Sequence, residues 1–309
     1  MEARFVKGRV VKGLGGRFQI LGEDGESYAC RAKGALKRDG DKLLIGDVVT
    51  IKVTSSETDD VVVDAIHPRK NRLIRPPLAN LDKLFLVVAA AEPDFAPETA
   101  DKMLAIAEFH RMDPAVIVTK EDKDPSRAQK IAALYQSAGY DTYVVSITGE
   151  DGVENVKNGV LSALKGGKVG AFAGASGVGK STLIGRLFPD IAPETGEISR
   201  KTGRGKHTTR SVELLPLEGS DGYLADTPGF SLLDFERFDF FPLESLVSSF
   251  RDIAPYADSC RWGDCTHVGE SEEDCAVKRA VKEGKIASSR HATYAALRQI
   301  LKTKESTYK

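Results

Sequence analysis

No stretch of this 309-residue chain approaches the run of about eighteen apolar residues that a membrane span needs. The opening segment, MEARFVKGRVVKG, lacks the apolar core and small-residue cleavage site of a signal peptide. The expectation is therefore a cytoplasmic protein with no membrane contact. Internal repeats and low-complexity tracts are also missing, which argues against solenoids and long disordered arms. Net charge is nearly nil, at −1, so no chain-wide field steers it to a polyanion. Cysteine is scarce: of four residues, Cys30 stands alone and Cys260, Cys265 and Cys275 cluster late in the chain. In a cytosolic protein such a cluster favours a metal site over disulfides. Cys30, in the alternating stretch SYACRA, reads as a small buried hydrophobe.

What is present is enough for two or three domains. Residues 1–72 contain five short strand-like runs, RFVKGRVV, GRFQIL, ESYACR, GDVVTIKV and DVVVDAI, separated by Gly- and Asp-rich turns. This spacing predicts a small β-barrel, with the oligonucleotide-binding (OB) type the natural candidate and SH3-like barrels giving a similar pattern. HPRKNRLIRPP (67–77) has the basic, proline-rich composition of a linker. Beyond it the texture changes. LDKLFLVVAAA is continuously apolar, as in a strand buried on both faces. Helical and strand patterns then alternate to about residue 240, which predicts a parallel, doubly wound α/β domain over 73–240. Residues 241–309 read as a mostly helical domain interrupted by the cysteine cluster. Although the whole chain is neutral, the tail 278–309 is strongly basic. That tail and the barrel's basic residues either touch a polyanion or form solvated faces.

The chemistry concentrates in the middle domain. Gly174-Ala175-Ser176-Gly177-Val178-Gly179-Lys180-Ser181 matches G-x-x-x-x-G-K-[ST], with Thr182 following in the same turn. An apolar strand precedes it and a helical pattern follows. Glycines let backbone N–H groups converge on phosphates, and the helix N-terminus favours negative charge. Lys180 is expected to reach the β- and γ-phosphates, and Ser181 to ligate Mg²⁺. Asp226-Thr227-Pro228-Gly229 follows some fifty residues later, where Asp226 is placed to hold Mg²⁺ through water. The Gly229 amide, with no side chain in the way, is placed to approach a γ-phosphate.

Thr119-Lys120-Glu121-Asp122 closes the strand PAVIV. A carboxylate at Asp122 accepts the paired donors of guanine, N1–H and the 2-amino group, which adenine lacks, and so selects GTP over ATP. The usual form is Asn-Lys-x-Asp, and Thr119 departs from it. Ser146, ending the strand DTYVVS, fits the second base-contacting segment. The order is unusual: base motifs at 119 and 146 precede the phosphate loop at 174. The GTPase domain is thus circularly permuted, which is feasible when the parent termini lie close together.

Between the phosphate loop and Asp226 lies Arg200-Lys201-Thr202-Gly203-Arg204-Gly205-Lys206-His207-Thr208-Thr209-Arg210, with five Lys or Arg residues besides His207, and no acid. Such a composition favours mobility without a ligand. Thr208 or Thr209 is expected to close over Mg²⁺ in the GTP state. Phe230 and Ser231 follow the Asp226 motif where many GTPases carry a water-positioning Gln. His207 is the substitute on offer, either as a catalytic group for the attacking water or only as a contact to RNA. Finally, Cys260-x₄-Cys265-x-His267-x₇-Cys275 supplies three thiolates and an imidazole, a complete tetrahedral set with no open position, and so predicts one structural Zn²⁺.

Together, GASGVGKST, GRGKHTT, DTPGF and CRWGDCTH…CAVKRAV resemble the ribosome small-subunit-dependent GTPase A family (RsgA/YjeQ) over nearly the whole chain. The family similarly places a His before paired threonines. The resemblance implies a multidomain protein: an OB-type barrel, a permuted GTPase domain, then a zinc domain. It implies hydrolysis of GTP to GDP and phosphate, stimulated by the small (30S-type) ribosomal subunit late in that subunit's maturation, with barrel and zinc domain holding rRNA. A monomer is expected. The residues alone reach a GTPase with RNA-compatible flanks. They leave open a nucleotide-gated binding module that does not hydrolyse, and a kinase or ATPase, against which Asp122 and Ser146 speak.

Overall fold

The computed structural model describes residues 3–14, 16–31, 42–54, 61–73, 77–147, 149, 151–191, 212–226 and 242–307. They fall into two compact units. The first comprises Met1–Asp82, Leu161–Ala171 and Pro193–Phe230, and the second Lys83–Val160, Phe172–Ala192 and Ser231–Lys309.

In the first unit, the five strand patterns become β1 (Ala3–Leu14), β2 (Arg17–Gly22), β3 (Ser27–Arg31), β4 (Val48–Thr54) and β5 (Val61–Ile66). They pair antiparallel in the order β3-β2-β1-β4-β5, and β3 curls back against β5, the arrangement of an oligonucleotide-binding barrel. Alternation sends Val6, Val10, Ile20, Val49, Ile51 and Val63 inward, with Cys30 buried beside them as expected. Burial pushes the Cys30 thiol up to about 11, so it stays protonated and inert.

The basic stretch after β5 is built into this unit rather than left free. The Arg69 guanidinium donates to both carboxylate oxygens of buried Asp47, at 2.6 and 2.8 Å, and the Asn71 amide donates to the Leu81 carbonyl. Two-residue strands β6 (Arg72–Leu73) and β7 (Leu78–Ala79) form a hairpin there. The same unit holds part of β11 (Val169–Ala173), with β12 (Glu213–Pro216) and β13 (Tyr223–Asp226). β13 runs parallel to β11, whereas β12 is antiparallel to β13, so the sheet is mixed and not wholly parallel as expected. β12 was hidden in the sequence because its four residues, ELLP, carry no alternation and end in proline.

The second unit carries the other half of the α/β domain. β8 (Lys83–Ala89), β9 (Asp113–Thr119) and β10 (Asp141–Val144) are parallel in the order β10-β9-β8. Every residue of β8 is buried: the apolar run predicts this from Leu84 onward, and Lys83 is buried with its ammonium paired to Asp113 at 2.5 Å. Helices α1 (Pro97–Phe109), α2 (Pro125–Ser137), α3 (Asp151–Ala163, in this unit as far as Val160) and α4 (Lys180–Leu187) alternate with the strands. Pro97 and Pro125 open α1 and α2 at the first helical position, where a missing N–H costs nothing. The C-terminal part of this unit contains the one-turn helix α5 (Ala254–Ala257), α6 (Ala276–Lys282) and the long α7 (Ser288–Thr307), which packs on α1. Among the described residues no helix is long and apolar enough to cross a membrane.

Candidate functional site

Within the second unit, three chain segments converge at the C-terminal ends of the parallel strands. The phosphate loop leaves β11 at Gly174 with φ +147°, and a Cβ there would stand 2.2 Å from the Val87 carbonyl oxygen, so only glycine fits. Gly177 and Gly179 also have positive φ, and Gly179 is the N-cap of α4. Lys180 Nζ donates to the carbonyl oxygens of Gly174 (2.7 Å) and Ala175 (2.9 Å), which centres the ammonium in the loop's curl. Burial lowers the Lys180 pKa. Ser181 and Thr182 lie exposed on the first turn of α4, where free N–H groups and the helix dipole favour an anion.

The base-motif segment is tied to this loop. Thr119, fully buried at the end of β9, places its hydroxyl 2.6 Å from the Val178 carbonyl oxygen and 3.1 Å from that of Val88. Its one proton serves either acceptor, so the short side chain bridges β9 to the phosphate loop. Lys120, with φ +59°, then directs Nζ onto the carbonyl oxygens of Gly177 (2.9 Å) and Glu92. Asp124 is consumed in capping α2, accepting from the Arg127 N–H at 2.9 Å. Asp122 remains exposed, and the Ser146 hydroxyl donates to its Oδ1 at 3.0 Å. One oxygen is thereby oriented, on a carboxylate that stays exposed. Next to Ser146, the Ile147 methyl lies 3.0 Å from where a Gly179 Cβ would sit, so the second base segment also touches the phosphate loop. Asp122, Ser146, Thr119, Lys120 and the loop 174–182 thus form one constellation.

Asp226 ends β13 in the first unit, cross-strand from Glu213; burial and that neighbouring carboxylate raise its pKa. A nearby cation would relieve both effects. His207, Thr208, Thr209 and Gly229 lie outside the described residues, as does the rest of the basic segment 200–210.

The four predicted metal ligands meet in the second unit, their ligand atoms all within 4.8 Å of one another. Cys260 Sγ is 3.9 Å from Cys275 Sγ, and His267 Nδ1 is 3.5 and 3.7 Å from these two sulfurs. A tetrahedral zinc with ordinary Zn–S and Zn–N bonds requires edges of about 3.8 and 3.6 Å. The donor set and its spacing therefore fit Zn²⁺. The Ala276 and Lys278 N–H groups donate to Cys260 Sγ (3.3 Å) and Cys275 Sγ (3.4 Å), which stabilises thiolate charge.

Glu270 braces the ligand loop. Its carboxylate accepts from the Thr266 N–H (2.8 Å), the Thr266 hydroxyl (3.0 Å) and the Val268 N–H (3.2 Å). Burial pushes the Glu270 pKa up, but these hydrogen bonds outweigh it and hold the group down to about 2.

Sequence reasoning missed Glu270, and it missed Arg290, Asp101 and Asp252. Arg290 of α7 is buried and its guanidinium donates to Asp101 of α1 (2.9 Å) and to both oxygens of Asp252 (2.6 and 3.0 Å). The only available signal was Asp101 itself, an acid on the apolar face of a helix pattern. Of the unassigned histidines, His67 pairs with the Thr50 hydroxyl at 3.0 Å, and partial burial lowers the pKa of His110. His291 directs Nε2 to the His267 carbonyl oxygen at 2.7 Å.

The fold and this constellation define a circularly permuted phosphate-loop GTPase. The RsgA GTPase family model matches residues 66–236, and the RsgA N-terminal domain model matches 7–59. The chain is 38% identical over 301 residues to the small ribosomal subunit biogenesis GTPase RsgA of Caldanaerobacter subterraneus subsp. tengcongensis, covering 97% of each. It is also 38% identical over 289 residues to the RsgA of Alkaliphilus metalliredigens, covering 93% and 95%. Among solved structures it is similar to YloQ, described as a circularly permuted GTPase, with TM-score 0.77 and 28% identity over 97% of this chain and 96% of that one. YjeQ from Thermotoga maritima gives TM-score 0.79 and 30% identity over 96% and 99%. The chain belongs to the RsgA family and is a GTP-hydrolysing enzyme.

Proposed function

We propose that this protein hydrolyses GTP in response to the small ribosomal subunit and acts in that subunit's late maturation by binding its rRNA. The observation that carries the nucleotide half is the constellation in which Thr119 and Lys120 anchor the Asp122–Ser146 pair to the phosphate loop. The ribosomal half rests on relatives named as small ribosomal subunit biogenesis GTPases along nearly their full length. In this reading, the chain divides into a barrel (1–72), a GTPase domain (73–240) and a zinc domain (241–309), and works as a cytoplasmic monomer.

Asp122 accepts from the guanine edge, while the amides of 174–182 and Lys180 hold the phosphates. Ser181, Asp226 and Thr208 or Thr209 would hold Mg²⁺, which would supply positive charge to offset that of the phosphates. Water attacks the γ-phosphorus, the bond to the β–γ bridging oxygen breaks, and GDP leaves with that electron pair. His207 orients the water or takes its proton. Contact between rRNA and the basic segment 200–210 lowers the entropic cost of reaching this arrangement, so the isolated enzyme is slow. Zn²⁺ on Cys260, Cys265, His267 and Cys275 is structural.

The test is GTP turnover with and without purified small subunits, with large subunits and bulk RNA as comparators and ATP as competitor. Stimulation by small subunits alone, falling steeply with salt, is expected. Equal stimulation by all three RNAs would reject specific recognition, and equal binding of ATP and GTP would reject the role of Asp122. Removal of residues 1–72 should reduce stimulation more than basal hydrolysis, because the nucleotide motifs lie downstream.

A further inference from the structure

α7 bears on the metal-ligand cluster and on α1 through adjacent residues. His291 holds the backbone carbonyl of ligand His267 at 2.7 Å, and Tyr294, one turn on, donates its hydroxyl to the Thr266 carbonyl at 3.2 Å. Arg290 points the other way, into the protein. Its side chain is 1% exposed and held by Asp101 and Asp252, with Tyr140 and Phe250 rings 5.4 and 5.0 Å from the guanidinium carbon. Asp101 lies on α1, and the Tyr135 hydroxyl donates to the same carboxylate oxygen, Oδ1, at 3.2 Å. Its other oxygen, Oδ2, is buried with no hydrogen-bond partner. A buried arginine between two carboxylates is costly to solvate any other way, so α7 and α1 are fixed to each other in one geometry. α1 in turn lines a small apolar cavity with its Thr99, Ala100 and Met103, and the lining also includes Gly174, Ala175 and Val178 of the phosphate loop.

We propose that Arg290 is a positioning residue for nucleotide binding: it couples the zinc cluster to the phosphate loop through α1, so that zinc and guanine nucleotide each tighten the other's binding. The inference rests on the zinc and GTP readings above. Occupancy fixes His267, whose carbonyl sets His291 and hence the neighbouring Arg290. Arg290 then sets α1, which forms one wall against the loop. Linkage demands reciprocity: whatever factor zinc contributes to nucleotide affinity, nucleotide must contribute to zinc affinity. A purely structural Arg290 would stabilise the fold and leave zinc affinity indifferent to nucleotide.

The experiment uses the full chain. Zinc content is measured first, then GDP affinity by calorimetry, zinc-loaded and zinc-stripped. Zinc affinity is measured by competition with a chromophoric chelator, with and without GDP. We expect stripping to weaken GDP about fivefold and GDP to tighten zinc by the same factor. Arg290→Lys keeps the charge but loses the planar fork that reaches both carboxylates, and Asp101→Asn removes the α1 anchor. In zinc-loaded protein of either variant, GDP should bind about fivefold more weakly, and the zinc affinity should no longer respond to GDP. These two folded, loaded variants keep the test open if stripping unfolds the parent. One equivalent of zinc whose affinity ignores GDP overturns the coupling. Absence of zinc from the purified protein instead overturns the zinc reading, and the coupling falls with it.

Discussion

The hydroxyl of Thr119 lies 2.6 Å from the carbonyl oxygen of Val178, joining the base-recognition strand to the phosphate loop across 59 positions of sequence. An asparagine amide would make such a bridge with a longer reach. Here β9 ends close enough for a hydroxyl. Thr119→Ala should leave a buried carbonyl short of its donor, at a cost of about 1–2 kcal/mol, and raise the GDP dissociation constant about tenfold. Thr119→Ser should restore most of the loss. Calorimetric titration of the three proteins checks this, and an alanine variant that binds GDP like the parent would remove Thr119 from the site.

In the proposed reading, base choice turns on Asp122. Its Oδ1 is oriented by Ser146, at 3.0 Å, so an amide at this position keeps its place while reversing hydrogen-bonding sense on one arm. Asp122→Asn should lose GTP affinity by about a hundredfold and gain preference for xanthosine triphosphate, whose 2-oxo group accepts where guanine's amino group donates. Competition between the two nucleotides for the variant is the measurement. Continued preference for GTP would place base recognition elsewhere.

Local pattern made much of this legible. β8 declared itself by the apolar run from Leu84 to Ala89, and the phosphate loop by its glycine spacing, which the structure explains by a positive φ at Gly174 where a Cβ would meet the Val87 carbonyl. The three-cysteine, one-histidine ligand set was readable because soft ligands are rare and were clustered. What stayed hidden depended on contacts distant in sequence. Arg290 meets Asp101 across 189 positions, and neither residue's neighbours announce the other. β12 escaped because it is short and, among the described residues, paired through β1 and β13, and Glu270 because an acid in a polar loop looks solvated until the donors that meet it are counted.

His207 carries the prediction about chemistry. It stands beside Thr208 and Thr209 in a segment otherwise built of Lys, Arg, Gly and Thr, and it is that segment's sole group able to exchange a proton near neutrality. His207→Ala should lower subunit-stimulated turnover about a hundredfold while GTP affinity stays within twofold. His207→Gln, which retains a donor and an acceptor, should recover part of the rate if orientation of water matters more than proton transfer. Single-turnover hydrolysis with saturating small subunits distinguishes these outcomes. Full stimulated turnover in the alanine variant would leave His207 with RNA contact alone.

The zinc site gives the last prediction, and it turns on Glu270 as much as on the ligands. Metal analysis of protein purified without added zinc should return close to one equivalent, and Cys260→Ser with Cys265→Ser should abolish it. A double variant with full occupancy and an intact fold would rule the site out. Glu270 acts one step back. His267 has φ +62°, a left-handed backbone that a β-carbon makes unfavourable by roughly 1–2 kcal/mol. Its two neighbours, Thr266 and Val268, both donate backbone N–H groups to the Glu270 carboxylate, which holds the peptide in that conformation. The carboxylate's pKa, down to about 2, shows that it remains ionised at neutral pH and accepts at full strength. The Thr266 N–H meets Oε1 and the Val268 N–H meets Oε2, so Glu270→Gln puts an NH₂ against one of these donors and leaves a weaker, neutral acceptor for the other. The loss of charge-assisted bonds, about 1.5–3 kcal/mol, should lower zinc affinity ten- to about a hundredfold while all four ligands remain. Chelator competition on the parent and the Gln variant measures it directly. Equal zinc affinities would show that the left-handed turn at His267 is maintained by the ligands themselves, without the help of Glu270.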